Sequence, residues 1–204
     1  MSQIALPLVP SDSGQNPEIV VGNANEAAAL ALTQPTEWPF HTAVLYGPPR
    51  SGKTLLTRWF AGRNPGARII DDAERLPEDD IFHAWNRTQQ DRQPLLIVTG
   101  DETWQVALPD LRSRLGAALH LAIGTPDDAM VAQLLEAHAA GRSLVLGEGG
   151  ITYISMRIER SFAAIERIVA AIDRLSLERK MPPNRTIWRD ALEAVQGPQQ
   201  ARLL

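Results

Sequence analysis

Gly47-Pro48-Pro49-Arg50-Ser51-Gly52-Lys53-Thr54 is the stretch on which the fold turns. It fits G-x-x-x-x-G-K-[ST], and its flanks supply the context that the pattern requires. Before it runs the short apolar segment Thr42–Tyr46. After it, Thr54–Ala61 has helical spacing, with Leu55, Leu56, Trp59 and Phe60 on one side. The glycines let the backbone curl so that successive N–H groups converge on phosphate oxygens, and the helix N-terminus adds partial positive charge. Lys53 brings a mobile point charge to the β- and γ-phosphates, and the Thr54 hydroxyl is a ligand for Mg²⁺. The bland alternative is a surface turn that carries these residues by chance.

Outward from this loop the chain alternates. Ala67–Ile70, Pro94–Val98 and Leu119–Ile123 are further short apolar runs, and Asp79–Gln90 has Ile81, Phe82 and Trp85 at helical spacing. Short runs separated by helices predict βαβ units and a parallel sheet covered on both faces. Asp71-Asp72 closes the second run and has the form of a second phosphate-site element. One carboxylate would hold the metal through water, and the other would orient the attacking water. The competing reading is an acidic helix cap before Ala73.

From Thr125 the strands stop. Thr125-Pro126-Asp127-Asp128 reads as a helix start, with Thr125 as N-cap and proline at N1. Met130, Val131, Leu134, Leu135 and His138 form the expected buried stripe, ended by Gly141. Helices near Gly149–Ile158, Ser161–Leu175 and Thr186–Val195 follow. The expected organisation is therefore a peptide and linker over 1–18, an α/β domain over 19–124 and a small helical domain over 125–204.

Composition narrows the chemistry. The chain has 204 residues, 44% of them apolar and 22% charged, enough to bury a core. It has no cysteine and four histidines, so disulfides, thiolate nucleophiles and Cys or His metal sites are not expected. A net charge of -4 gives no basic excess for binding a phosphate backbone directly. No apolar run reaches the roughly 18 residues that span a bilayer, so a soluble, cytoplasmic protein is expected, with no membrane partner. Lys53 and Lys180 are the only lysines beside 18 arginines.

With the loop and acidic pair in place, further segments match a known family over nearly the whole chain. The sequence resembles the Hda family of AAA+ regulators, related to the ATPase domain of the replication initiator DnaA. Ile19-Val20-Val21-Gly22-Asn23-Ala24-Asn25 is similar to the segment that lines the adenine site, which implicates Val20 and Val21. Val98-Thr99-Gly100-Asp101 resembles the strand-end sensor, which implicates Thr99 and Asp101. Leu108–Leu115 is similar to the box that carries the family's arginine finger, and the finger maps onto Arg114. Gln3-Ile4-Ala5-Leu6-Pro7-Leu8 resembles the family's sliding-clamp peptide. Gln3 and Ile4 would dock with it, while Leu6 and Leu8 fill an apolar pocket.

The resemblance implies an AAA+ P-loop fold with a helical lid, bound ADP or ATP with Mg²⁺, and two partners. These are DnaA and the sliding clamp, the β subunit of DNA polymerase III, with DNA reached only through them. The implied activity is negative regulation of replication initiation, by hydrolysis of DnaA-bound ATP under a finger acting in trans. Self-association is an open alternative. Three departures shape the expectation. Only 17 residues separate Lys53 from Asp71, so one edge strand and its helix are expected to be missing. The lid arginine of the family falls on Ala163, with Arg160 or Arg167 one turn away, so intrinsic hydrolysis should be slow. No helix-turn-helix segment of the kind DnaA uses to read DNA follows Leu175. Other classes are a helicase loader or clamp-loader subunit, a nucleotide-free adaptor, and a small-molecule kinase, which the helical end with its arginine box does not suit.

Overall fold

The computed structural model describes residues 19–100 and 104–197. Thr42–Tyr46 (β1), Arg68–Ile70 (β2), Leu95–Thr99 (β3) and Leu119–Ala122 (β4) form one sheet in the order β2-β3-β1-β4. Every pairing is parallel, and Tyr46 lies opposite both Thr99 and Ala122. All of β3 and the first four residues of β1 are buried, as continuous apolar runs covered on both faces should be. The expected α/β architecture is the observed one.

Two apolar layers sandwich the sheet. On one face, Glu26–Leu32 (α1) and Lys53–Arg63 (α2) pack Leu32, Leu56 and Phe60 against Leu45, Leu96 and Leu121. On the other, Glu78–Asp91 (α3) and Pro109–Gly116 (α4) pack Ile81, Leu111 and Leu115 against Val44, Leu95 and Ile97. Between the end of α2 and Arg68 there is only a tight turn, closed by the Ala67 N–H on Asn64 O at 2.9 Å. No strand–helix unit intervenes, and β2 is left as a three-residue edge strand, as the short spacing predicts.

The helical part is Asp128–Ala140 (α5), Gly147–Ser155 (α6), Phe162–Arg179 (α7) and Arg185–Gln196 (α8). Each expected helix exists, with shifted ends. The N-cap of α5 is Asp127, not Thr125: its carboxylate accepts the Met130 N–H at 2.8 Å. The reason lies upstream. Asn23 donates to Thr125 O at 3.1 Å and accepts the Asp127 N–H at 2.9 Å, which holds 125–127 outside the helix. His138 is only half-buried, and Ala139 takes its place in the buried stripe. Ser161 and Asn184 cap α7 and α8 through their side chains. Among the described residues no helix is long and apolar enough to cross a membrane.

The lid shares a core with the sheet. Leu45, Leu96 and Phe60 belong to the same apolar cluster as Met130, Leu135, Ile165, Ile168 and Ile187. The segment 19–25 stitches the two parts together. Asn25 donates to Val20 O at 2.9 Å, and Gly124 donates to Ala24 O at 2.8 Å. Phe60 lies at the centre, fully buried and stacked on Trp38 at 5.2 Å. Phe60→Ala should therefore lower unfolding stability by about 3–5 kcal/mol. Urea denaturation would show a lower midpoint at unchanged slope.

Candidate functional site

The parallel register brings the ends of three strands to one edge. Tyr46 opposes Thr99, and Ile70 opposes Ile97, so the residues after β1, β2 and β3 meet there. These are the loop beginning at Gly47, the pair Asp71-Asp72, and Thr99 itself. Sheets of this kind bind ligands in the crevice outside their carboxyl ends.

The loop is built by local necessity. A Cβ at Gly47 would stand 2.8 Å from Ile123 Cβ and 3.1 Å from Ile123 O, so only glycine fits where β1 ends against the strand beside it. Gly52 has φ +87°, a left-handed conformation that suits glycine, and it forms the N-cap of α2 without any side-chain cap. The first amides of α2 thus keep their capacity to donate to an anion. Ser51 is 3% exposed, and its hydroxyl has no hydrogen-bond partner. A buried polar atom left unpaired costs about 1–3 kcal/mol, which an incoming acceptor relieves. Pro48 and Pro49 stiffen the loop, and Arg50 crosses from it to Glu166 on α7 at 3.1 Å.

Lys53 Nζ donates to Gly47 O at 2.6 Å and Pro48 O at 3.0 Å, so the ammonium is folded back inside its own loop. Burial is the largest influence on it and pulls its pKa below the ordinary 10.5, against the opposing fields of Glu74, Asp71 and Asp72. Thr54, one residue on, is exposed. Asp71 and Asp72 are exposed too; Asp71 Oδ1 accepts the Asp72 N–H at 3.0 Å, and Asp72 faces Arg75 at 3.6 Å. Asp72 stands at the cap position of the short turn Ala73–Arg75, yet its side chain makes no capping bond. The capping reading therefore does not account for the pair.

Sequence reasoning missed Glu74. Its carboxylate accepts the Gly100 N–H at 3.0 Å and is also bonded by Thr99. Burial pushes this carboxyl up, but those bonds, with its own amide and nearby Arg75, hold it below the usual glutamate value. Glu74 ties the acidic turn to the end of β3 and exerts the largest field on Lys53. The only signal was a third carboxylate two positions after Asp72.

The residues fit a nucleoside polyphosphate with its metal. Uncapped amides, the Ser51 hydroxyl and Lys53 suit the phosphates, while Thr54 and Asp71 supply the hydroxyl and carboxylate that Mg²⁺ accepts alongside phosphate and water. Among the described residues no cluster of three or more His, Asp or Glu would hold a metal unaided. Val20 and Val21 are half-buried against the shared core, next to Gly22, which abuts Met130 of α5. They stand where sheet and lid join.

Arg114 is not part of this cluster. It lies in the last turn of α4 and packs on α3. Its guanidinium is held between Phe82 and Trp85, 4.2 and 4.3 Å from the ring centroids, and donates to Asn86 Oδ1. Arg112 instead donates to Val106 O at 2.7 Å. Neither lid candidate meets the loop: Arg160 pairs with Asp128 at 2.7 Å, and Arg167 bonds Ala163 O one turn back. Gln3, Ile4, Leu6, Leu8 and Asp101 lie outside the described residues.

Comparison with solved structures identifies the fold. Domain III of the Thermotoga maritima replication initiation protein DnaA superimposes with a TM-score of 0.74 at 14% identity, over 88% of this chain and 95% of that one. DnaA of Aquifex aeolicus bound to AMPPCP gives 0.61 at 18% identity, over 84% and 68%. The Thermotoga maritima RuvB Holliday junction branch migration motor gives 0.63 at 19%, over 85% and 70%. The chain spans 65% of a further neighbour described as a DNA replication initiation factor. Neither family models nor curated proteins give a match. The shared architecture is the AAA+ fold, as these neighbours display it.

The depressed Lys53 pKa has a measurable consequence. A bound phosphate favours the ammonium, so binding takes up protons at alkaline pH, and affinity falls as pH rises through the Lys53 pKa, which lies below 10.5 in the free protein. Calorimetric titration with ADP from neutral to alkaline pH should show this decline in the native protein. Lys53→Ala should bind at least about tenfold more weakly, with the decline removed.

Proposed function

We propose that this chain is a DnaA-related AAA+ regulator of replication initiation, of the Hda type. It binds ADP or ATP with Mg²⁺ in the loop Gly47–Thr54, docks on the sliding clamp through Gln3–Leu8, and promotes hydrolysis of ATP bound to DnaA. What supports this reading most is that the Arg114 guanidinium has no bond to the phosphate loop of its own chain and is held instead on α3 by Phe82, Trp85 and Asn86. In this reading the guanidinium leaves Asn86 to serve a nucleotide held by a neighbouring molecule rather than its own.

In this reading Arg114 meets charge that develops on the γ-phosphate of DnaA-bound ATP while water attacks and ADP leaves. Fingers of this kind contribute roughly 10³ to 10⁵ in rate. The chain's own nucleotide acts differently. Contacting both the loop and the lid, it stabilises the closed arrangement by mass action. Intrinsic hydrolysis is slow, because Arg160 is committed to Asp128 and Arg167 to its own helix. The clamp raises the local concentration of the regulator beside DNA-bound initiator without adding any contact to the reaction.

The test is a reconstituted measurement of DnaA-bound ATP turnover with clamp loaded on DNA. Arg114→Ala should abolish stimulation and leave clamp binding unchanged, whereas a chain lacking its first eight residues should lose clamp capture. Stimulation retained by Arg114→Ala would overturn the trans mechanism.

A further inference from the structure

Within the phosphate loop Arg50 holds a left-handed backbone, with φ 66°, although it is not glycine. A Cβ makes that conformation costly, and arginine has no local hydrogen bond to offset it, as a short polar side chain would. An outlier of this kind at a ligand site points to what its side chain does. The side chain of Arg50 leaves the loop altogether. Its Nη1 donates to Glu166 Oε1 at 3.1 Å, on α7 and 116 positions further along the chain.

Glu166 is a fixed target. Its side chain is half-buried, and its neighbours Ile165, Ile168 and Val169 on α7 are fully buried in the core that the lid shares with the sheet. Among the described residues, no other side chain of the loop bonds to the helical part. Lys53 is turned onto Gly47 O and Pro48 O, and the Ser51 hydroxyl has no partner. The arginines beside Glu166 are engaged elsewhere, Arg160 with Asp128 and Arg167 with Ala163 O. The loop thus supplies the cation of this contact, and the lid supplies the carboxylate.

We infer that Glu166 is a positioning residue for the bound nucleotide: through Arg50 it straps the phosphate loop to α7 and slows the escape of a nucleoside polyphosphate from that loop. This rests on the reading of Gly47–Thr54 as a nucleotide site given above. The strap needs no contact with the phosphates. Release requires the loop to loosen, and a tie that must break on the way out slows departure by its own strength. That strength is modest, because Arg50 is mostly exposed. An ion pair of this kind is ordinarily worth a factor of about two to five, and salt weakens it.

The experiment is a chase. The full chain is loaded with a fluorescent ADP analogue and mixed with excess unlabelled ADP, and release is timed at low salt and at about 1 M salt. At low salt Glu166→Gln should speed release about two- to fivefold. Arg50→Gly should speed it equally, and the double variant should release no faster than either single one, since all three lack the same tie. In 1 M salt the native protein and the variants should converge. Slower release from Glu166→Gln, or faster release from Arg50→Gly alone, would make Arg50 a direct phosphate ligand and overturn the strap. Unchanged rates in both single variants, additive effects in the double one, or a difference that survives high salt would overturn it too. A native chain that takes up no ADP would overturn the nucleotide reading itself, and the strap with it.

Discussion

The rest of the molecule depends on how closely Gly47 approaches Ile123. The backbone leaves β1 against a neighbouring strand end with no room for a Cβ, and this fixes the direction in which the loop curls. From that point the left-handed Gly52 turns the chain into α2 with its first amides uncapped. The buried, unpaired Ser51 hydroxyl and Lys53, folded back onto Gly47 O and Pro48 O, lie on the same path. The uncapped amides and the Ser51 hydroxyl are donors of the kind that an anion satisfies.

The acidic side of the site is held by a different device. Asp71 and Asp72 follow the shortest strand in the sheet, which has a hydrogen-bonded neighbour on one side only. Left alone, that turn would be free to wander. Glu74 prevents it by accepting the Gly100 amide and bonding Thr99, which fastens the edge strand's exit to the buried strand beside it. Glu74 thereby holds the turn that carries the other two carboxylates.

Much of this was legible in the residues. Continuous apolar runs placed β1, β3 and β4 to within a residue or two, and the pattern Gly47–Thr54 located the loop, because each rests on local rules. The short distance from Lys53 to Asp71 foretold the missing strand–helix unit. What could not be read depended on contacts distant in sequence. Asp127 replaced Thr125 as the cap because Asn23, about a hundred positions earlier, holds the preceding backbone. The link from Arg50 to Glu166 spans 116 positions, and the flanking of Arg114 by Phe82 and Trp85 needs two helices packed side by side. Glu74 meets Gly100 across 26 positions of sequence. No periodicity marks pairings of that sort.

Because Leu45 and Phe60 share their apolar cluster with Met130, Ile165 and Ile187, the lid has no dry seam along which to swing away. Wide opening would hydrate side chains that a true hinge leaves covered, and that work must be done before anything seated between loop and lid escapes. Such an architecture favours rare, brief breathing over repeated gaping. Small excursions of the helical part are therefore cheap, and wide separation from the sheet is not.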